Sequence, residues 1–567
     1  MIASLPPAAI LIAGALAVPL LRGRLRSAWL LTLPLASGLQ LWGYFGLEHG
    51  AYFEFETLGQ TLTLLRVDKL SLVFGLIFHV VAFLSVIYAL HVEDTVQHVA
   101  ALIYAGAAIA AVFAGDLMTL FVYWELTAIA SVFLVWASRS ERAYRAGMRY
   151  LVIQVSSGVL LLAGALFVLR DTGSIRFEFL GGAWTLGTSL IFLAFGIKCA
   201  FPLLHNWLQD AYPEATPGGT VFLSAFTTKL AVYTLARGFA GTEVLIWLGL
   251  AMTLFPIFYA VIENDLRRVL AYSLNNQLGF MVVGIGVGTS LALNGAVAHA
   301  FAHLIYKALL FMSMGAVLHR TGRIKASELG GLYKSMPWTA ACCGVGALSI
   351  SGFPLFSGFV TKSMVLGAAG AEHRSLLLLG LLVASAGVME HSGIKIPFFA
   401  FFAHDSGIRC REAPANMLVA MGLAAALCLL IGLFPAPLYD LLPYPVDFQP
   451  YTTAHVITSL QLLLWAALAF CVLIRTGLYP QETPSTNLDS DWIYRRLLPR
   501  AYDEIERGLA SARSRIVHRA LQRLARLLAG VYRHHGPRGL FARSWPTGST
   551  VLWVALFLAV FLILYYV

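Results

Sequence analysis

Five ionisable side chains, Glu125, Lys198, Lys229, Lys307 and Lys362, stand deep inside long apolar stretches that otherwise exclude charge. A bare charge at the centre of a bilayer costs about 3 kcal/mol on insertion scales, so such residues face a bundle interior and mark an ion or proton path. The segment His299-Ala-Phe-Ala-His303-Leu-Ile-Tyr-Lys307 sets three protonatable groups at i, i+4 and i+8, one helix face about 12 Å long. Protonatable groups at that spacing, with water between them, can pass a proton stepwise. The two histidines also have a metal-ligand spacing, but no glutamate stands between them and no third ligand follows nearby, so no metal site is expected. The competing reading is a pair of structural histidines beside one functional lysine.

Two of the lysines lie beside helix breakers, in Phe195-Gly-Ile-Lys198-Cys-Ala-Phe-Pro202 and in Ser351-Gly-Phe-Pro354-Leu-Phe-Ser-Gly358-Phe-Val-Thr-Lys362. Proline removes a backbone donor, and a broken helix survives in a membrane only where protein or water satisfies the freed carbonyls, the sequence pointer to a transporter's binding site. These are spans seven and twelve, five crossings apart and so oppositely directed, as an inverted five-helix repeat requires. His205, just past the first break, reads either as a cytoplasmic inlet group or as a structural hydrogen-bonding residue. In the thirteenth span Glu390, His391 and Lys395 add charges near Pro397, with Glu390 and Lys395 either a local structural pair or an additional ion site.

The elements that must hold these groups are membrane helices. The chain has 567 residues, 59% hydrophobic and 12% charged, and its mean hydropathy of +0.76 excludes a water-soluble fold. About 16 apolar runs approach the ~20 residues that cross a bilayer, among them Leu5 to Leu21, Leu117 to Ala137, Met148 to Leu169 and Val551 to Val567. The alternation of a membrane barrel is missing. The start Met1-Ile-Ala-Ser-Leu-Pro-Pro has no basic leader, so the first run is expected to be a retained span. The six cysteines show no Cys-x-x-Cys spacing, which argues against iron–sulfur clusters and zinc ribbons. No phosphate-loop motif is present, and Gly284, Gly286 and Gly288 read as close helix packing. No cofactor is expected, and no catalytic chemistry resides in this chain alone.

Arginine and lysine collect in cytoplasmic loops. Arg22, Arg24 and Arg26, then Arg139 to Arg149, then Arg267 and Arg268, then Arg320 to Lys334 fall on one side, which leaves both termini extracytoplasmic. Two loops on that side, His91 to Gln97 and His205 to Pro217, carry acids and no basic residue, so the fit is incomplete. From Asp491 to Arg543 the chain is crowded with arginine, with an apolar stripe at Ile505, Leu509, Ile516, Ala520, Leu524, Leu527 and Val531. A basic amphipathic helix of about 45 residues, some 65 Å, is expected along the cytoplasmic surface, against anionic lipid or neighbouring helices. Nucleic acid is a poor partner for the net charge of +10, because these arginines adjoin a span and lack interleaved aromatics.

In order along residues 100 to 370, Gly115-Asp-Leu-Met-Thr-Leu-Phe-Val-Tyr-Trp-Glu125, Lys198 with Pro202, Trp207-Leu-Gln-Asp-Ala211 and Thr216-Pro217, Thr228-Lys229-Leu-Ala-Val-Tyr233, Asp265-Leu-Arg-Arg-Val-Leu-Ala-Tyr-Ser273, His299 to Leu310 and Gly352 to Lys362 resemble the antiporter-like proton-channel subunits. That family is shared by respiratory complex I, membrane-bound hydrogenases and Mrp-type sodium/proton antiporters. The resemblance implies an all-α polytopic fold of about 14–16 spans with broken helices seven and twelve. It implies that Glu125 pairs with Lys198, and that Lys229 and Lys307 continue a hydrated axis to Lys362 at the exit side. The corresponding segments are 1–95 (spans one to three), 96–240 and 241–405 (the two repeats), 406–480 (spans fourteen and fifteen), 481–546 (the surface helix) and 547–567 (the last span).

Lysines at 229 and 362 resemble the D-type antiporter subunit, while a surface helix followed by a last span resembles the A-type subunit and the distal complex I subunit. The leading expectation is a D-like subunit of a multisubunit cation/proton antiporter in a bacterial inner membrane, with other membrane subunits, protons and sodium or another monovalent cation as partners. A redox-driven pump module of complex I or a hydrogenase, and a membrane subunit of an inorganic-carbon uptake complex, are the alternatives.

Overall fold

The structure, a computed structural model, describes residues 6–57, 59–483, 487, 489–536, 539 and 546–566. Met1 to Leu5, on which the leader reading rests, the terminal Val567, and parts of the segment 481–546 lie outside the described residues. The chain divides into two units, residues 1–487 and 488–567.

The first unit opens with α1 (Ala9–Ala17) and α2 (Gly23–Tyr44), followed by a hairpin of β1 (Gly50–Thr57) and β2 (Gln60–Val67) and by α3 (Lys69–Ala89). Next come α4 (Thr95–Phe113), α5 (Leu117–Trp136), α6 (Glu141–Thr172), α7 (Leu186–Lys198), α8 (Asn206–Ala211), α9 (Pro217–Ala225) and α10 (Thr227–Gly238). A second series follows: α11 (Val244–Ile262), α12 (Leu266–Val287), α13 (Ser290–Thr321), α14 (Pro337–Ser351), α15 (Ser357–Ala371), α16 (Ser375–Val388) and, after a π-helical turn Met389–Ile394, α17 (Lys395–Pro397). The unit closes with α18 (Ala415–Leu433), α19 (Ala436–Asp440) and α20 (Thr453–Thr476). Among the described residues of both units, eleven helices are long and apolar enough to span a membrane. The fold is the polytopic helical bundle that the composition predicts.

The two series repeat one another at a constant spacing. Asp116 and Asp265 cap α5 and α12 with their carboxylates, and Ser140 and Thr289 cap α6 and α13. Gly173 and Gly322 end those two helices in the left-handed conformation at φ 72° and 68°, where only glycine is free of a Cβ clash. Bridges join Asp116 to Arg176 and Asp265 to Lys325, and the bonds Leu117 N to Ile175 O and Phe177 N to Gly115 O recur as Leu266 N to Ile324 O and Ala326 N to Asn264 O. Each member lies 149 residues after its counterpart (265 − 116, 322 − 173). Five crossings per series make the two halves run in opposite senses.

The β1–β2 hairpin falls within the segment 1–95, which the sequence reads as membrane spans only. It earns its place by satisfying the turn beside it: Thr63 N donates to Asp116 Oδ2 at 2.7 Å and Arg66 Nη1 to Phe177 O at 2.6 Å.

The acidic loops that fit the charge rule poorly are accounted for by pairing. Arg139 meets Asp94 at 3.2 Å, Arg142 meets Glu214 at 2.6 Å and Arg149 meets Asp210 at 2.6 Å. The acids lie at the arginine-bearing end of the bundle and are matched there by its arginines. Arg267 is not the loop charge that the sequence suggests. It is 2% exposed and donates to the carbonyls of Pro213 and Ala215 at 2.9 and 2.8 Å and to the Thr220 hydroxyl. It thus clamps the segment that leads into α9, because a buried guanidinium must find acceptors for its fork of donors.

In the second unit a short π-helical turn, Ile493–Leu497, leads into α21 (Leu498–His535, 38 residues), about 57 Å at 1.5 Å per residue. Ile505, Leu509, Ile516, Leu524, Leu527 and Val531 of the predicted stripe are all exposed. The unit ends in α22 (Thr547–Tyr566), an apolar helix of spanning length.

Candidate functional site

Each break in the bundle is held open by specific donors. The chain turns through left-handed residues at Ala200 and Leu203 in the first break and at Gly352 and Leu355 in the second, conformations costly for non-glycine residues and kept only where surroundings enforce them. Trp207 Nε1 donates to the freed carbonyl of Ile197 at 2.9 Å, and Ser459 Oγ of α20 donates to that of Gly352 at 3.2 Å. Lys198 stands just before its break and Lys362 just after. In helices of opposite sense both ammonium groups therefore fall on the same side of the interruption.

Lys198 is fully buried. Its Nζ donates to Trp124 O at 2.6 Å and to Thr127 Oγ1 at 2.9 Å, and lies 4.3 Å from the centre of the Trp124 ring, a cation–π geometry. The expected contact with Glu125 is not closed. Glu125 Oε1 has no hydrogen-bond partner among the described residues and rests against Gly158 of α6, where an added Cβ would overlap it outright. The carboxylate occupies space that only a glycine leaves, and the ammonium is satisfied by a carbonyl and a hydroxyl of the same helix α5.

Lys229 follows the interruption between α9 and α10 and donates to Ser224 O at 2.7 Å. Lys307 is fully buried; its Nζ has no hydrogen-bond partner among the described residues and faces the Phe311 ring at 5.8 Å. Next to it along α13, His303 and His299 have ring centres 6.3 Å apart. His303 packs edge-on to Tyr306 at 5.2 Å. His299 contacts Thr361 Oγ1 at 3.1 Å through Nδ1 and Gln277 Oε1 at 3.2 Å through Nε2, and the Tyr306 hydroxyl donates to the same Gln277 oxygen at 3.1 Å. Thr361 is the neighbour of Lys362, so the histidine file reaches the second broken helix. Lys362 donates to Ile350 O at 3.0 Å and borders a cavity of about 390 Å³ between α15, α16 and α20.

His205 is 2% exposed and packs against Phe255, ring centres 4.5 Å apart. Lys395 is fully buried in an ion pair with Glu482 at 2.8 Å, while Glu390 accepts from the Tyr479 hydroxyl at 2.6 Å. Thr127, Gly158, Gln277, Tyr306 and Thr361 join the site without having been marked in the sequence. Neutral residues in apolar helices leave no charge anomaly; the one signal available was position, since Tyr306 directly precedes Lys307 and Thr361 directly precedes Lys362. Among the described residues no cluster of three or more His, Cys, Asp or Glu side chains is arranged to hold a metal.

A bundle of this kind, with amines and imidazoles inside, has known counterparts. Residues 114–388 match the profile of the family described as NADH:quinone oxidoreductase/Mrp antiporter, TM, so this stretch carries the transmembrane domain of that family. Hydrogenase-4 component B of Escherichia coli is 30% identical over 355 residues, 55% of this chain and 52% of that protein. The D-type subunit of the Na(+)/H(+) antiporter of Alkalihalophilus pseudofirmus is 29% identical over 351 residues, 58% of this chain and 70% of that protein. The match thus spans about half the length of the hydrogenase component. In the solved Mrp complex from Dietzia sp. DQ12-45-1b, one chain shares the fold with a TM-score of 0.69 at 22% identity, over 79% of this chain and 98% of that one.

Proposed function

We propose that the chain is a proton-translocating, D-like subunit of a multisubunit monovalent cation/proton antiporter. The observation that carries the reading is the run of titratable groups inside one bundle: half-buried Glu125, then the buried Lys198, Lys229, Lys307, His303, His299 and Lys362. A buried ammonium loses its proton easily when no carboxylate is near and regains it when one approaches. Glu125 apart from Lys198 is the releasing arrangement; a shift that closes the pair is the recapturing one. Moving one charge across 100 mV costs about 2.3 kcal/mol, within reach of such a rearrangement.

Sodium or another monovalent cation is the exchanged ion on this reading, the partners are other integral membrane subunits, and the basic helix α21 lies on anionic lipid at the cytoplasmic face. The chain would sit in a bacterial inner membrane with both termini extracytoplasmic, which labelling of single cysteines placed at either end tests directly. Everted vesicles that contain the complete set of co-transcribed subunits should show sodium-dependent proton movement with no electron donor. Proton movement that requires an electron donor, with a cluster- or quinone-bearing subunit copurifying, would replace this reading by a redox-driven pump.

A further inference from the structure

The last turn of α11 ends against an unusual occupant. Helix C-termini leave carbonyls without intrahelical donors, at the negative end of the helix dipole. Here the orphan carbonyls converge on one ammonium: Lys395 Nζ lies 2.6 Å from Val261 O, 2.8 Å from Glu263 O and 3.3 Å from Ala260 O, with Glu482 Oε1 as a fourth oxygen at 2.8 Å. The ammonium is fully buried. The loop that carries Glu482 is tied over the same turn, Asn264 Nδ2 donating to Thr483 O at 3.2 Å and Asn487 Nδ2 to Ile262 O at 3.2 Å. Glu263, 3% exposed, has Oε2 without a hydrogen-bond partner among the described residues and 3.9 Å from Arg268 Nη1.

We propose that this oxygen cage is a site for a large monovalent cation, of the class of potassium or ammonium, which the tethered ammonium of Lys395 occupies in the present state. Three carbonyls and one carboxylate are a hard, oxygen-only donor set with a single formal negative charge, matched to one positive charge. The spacing of 2.6 to 3.3 Å is wider than the ~2.0–2.1 Å of magnesium and mostly wider than the ~2.3–2.6 Å of calcium. A displaced ammonium also has somewhere to go. In the π-helical turn Met389–Ile394 the backbone bond runs over five residues, Lys395 N donating to Glu390 O, so Glu390 stands about one turn before Lys395, and Glu390 Oε2 has no hydrogen-bond partner among the described residues. Exchange of a cation for the tether is then neutral at the cage and passes the ammonium from Glu482 to Glu390. This deepens the antiporter reading by giving the exchanged cation a place to bind.

The test removes the tether and reads binding without transport. In the native assembly purified from membranes, Lys395→Met should gain a saturable rise in thermal midpoint of about 2 °C or more when choline chloride is replaced by potassium or ammonium chloride. The unmodified protein should show none, and Glu482→Gln in the Lys395→Met background should abolish the gain. If the Met variant is unstable in choline, potassium must restore it. A midpoint indifferent to these salts, or collapse in all of them, overturns the proposal. Absence of proton movement in everted vesicles with sodium, potassium and ammonium alike, with the potassium shift of Lys395→Met intact, would sink the antiporter reading and leave the cage standing.

Discussion

The two halves of the bundle share turns, caps and helix lengths but are furnished differently inside. Carried across the 149-residue spacing, His299, His303, Tyr306 and Lys307 of α13 stand where α6 has Tyr150, Gln154, Ser157 and Gly158. Glu125 of α5 corresponds to Leu274 of α12. The first half therefore holds one carboxylate packed on a glycine opposite a lysine, and the second a file of imidazoles and amines with no acid among them. The same backbone seats a carboxylate and a lysine in one half and a file of imidazoles and amines in the other. Gly158 and Lys307 make the trade explicit: the position that must be empty to seat Glu125 is filled by an ammonium where the acid is gone.

The comparison predicts unequal sensitivity. Glu125→Gln and Lys198→Ala should each lower proton movement in vesicles about 100-fold or more, ~2.7 kcal/mol at ~1.36 kcal/mol per factor of ten, because on the proposed reading each deletes one side of the pair whose closing recaptures the proton, while subunits still copurify. Gly158→Ala should do nearly as much without touching a charge, because the added methyl claims the place of the Glu125 carboxylate. A Gly158→Ala protein that transports normally would show that the carboxylate can sit elsewhere and that the switch does not depend on α6. Lys307→Ala and Lys362→Ala come next, at roughly ten-fold, since neither amine has a carboxylate partner to strand: Lys362 gives up one charged hydrogen bond, to Ile350 O, worth ~1.5–3 kcal/mol, and Lys307, with no hydrogen-bond partner among the described residues, gives up only its place in the file. Lys362→Glu should keep part of the rate, as a group lining the cavity need only titrate. If Lys362→Ala and Lys362→Glu prove equally inactive, titration at that position is not what matters.

Part of this was legible in the chain because membranes make charge conspicuous: Glu125, four lysines and two prolines stand out in apolar runs, and the structure places each of them in the one helical bundle of residues 1–487. The hidden parts are those without a charge anomaly. Gly158 looks like any packing glycine, and nothing in one sequence says that a carboxylate leans on it. Glu125 and Lys198 are distant in sequence, so their nearness follows from the resemblance, whereas the open contact between them is a property of the folded state alone. Arg267 misleads for the opposite reason: an arginine at a helix start reads as a solvated loop charge, and only the carbonyls of Pro213 and Ala215 reveal it as a buried clamp.

Gln277 offers the mildest test. It accepts from the Tyr306 hydroxyl and contacts His299 while its amide donates to Asn276 Oδ1 at 2.7 Å, so it fixes which way the imidazole presents its nitrogens without itself carrying a proton. Replacing it with leucine removes about 1 kcal/mol of orientation per hydrogen bond, enough for a several-fold fall in rate and too little to unfold a fully packed helix. Because a neutral imidazole donates from one nitrogen and accepts at the other, a relay through His299 needs the ring held in register, and Gln277→Glu should hold it as well as the native amide while lending the second half the acid it lacks. The expected order of rates is therefore native, then Gln277→Glu, then Gln277→Leu, measured as initial proton flux at fixed gradient. Equal rates for the native protein and Gln277→Leu would mean that the proton bypasses His299, and the histidines of α13 would then be fillers of the space that α6 fills with Tyr150 and Gln154.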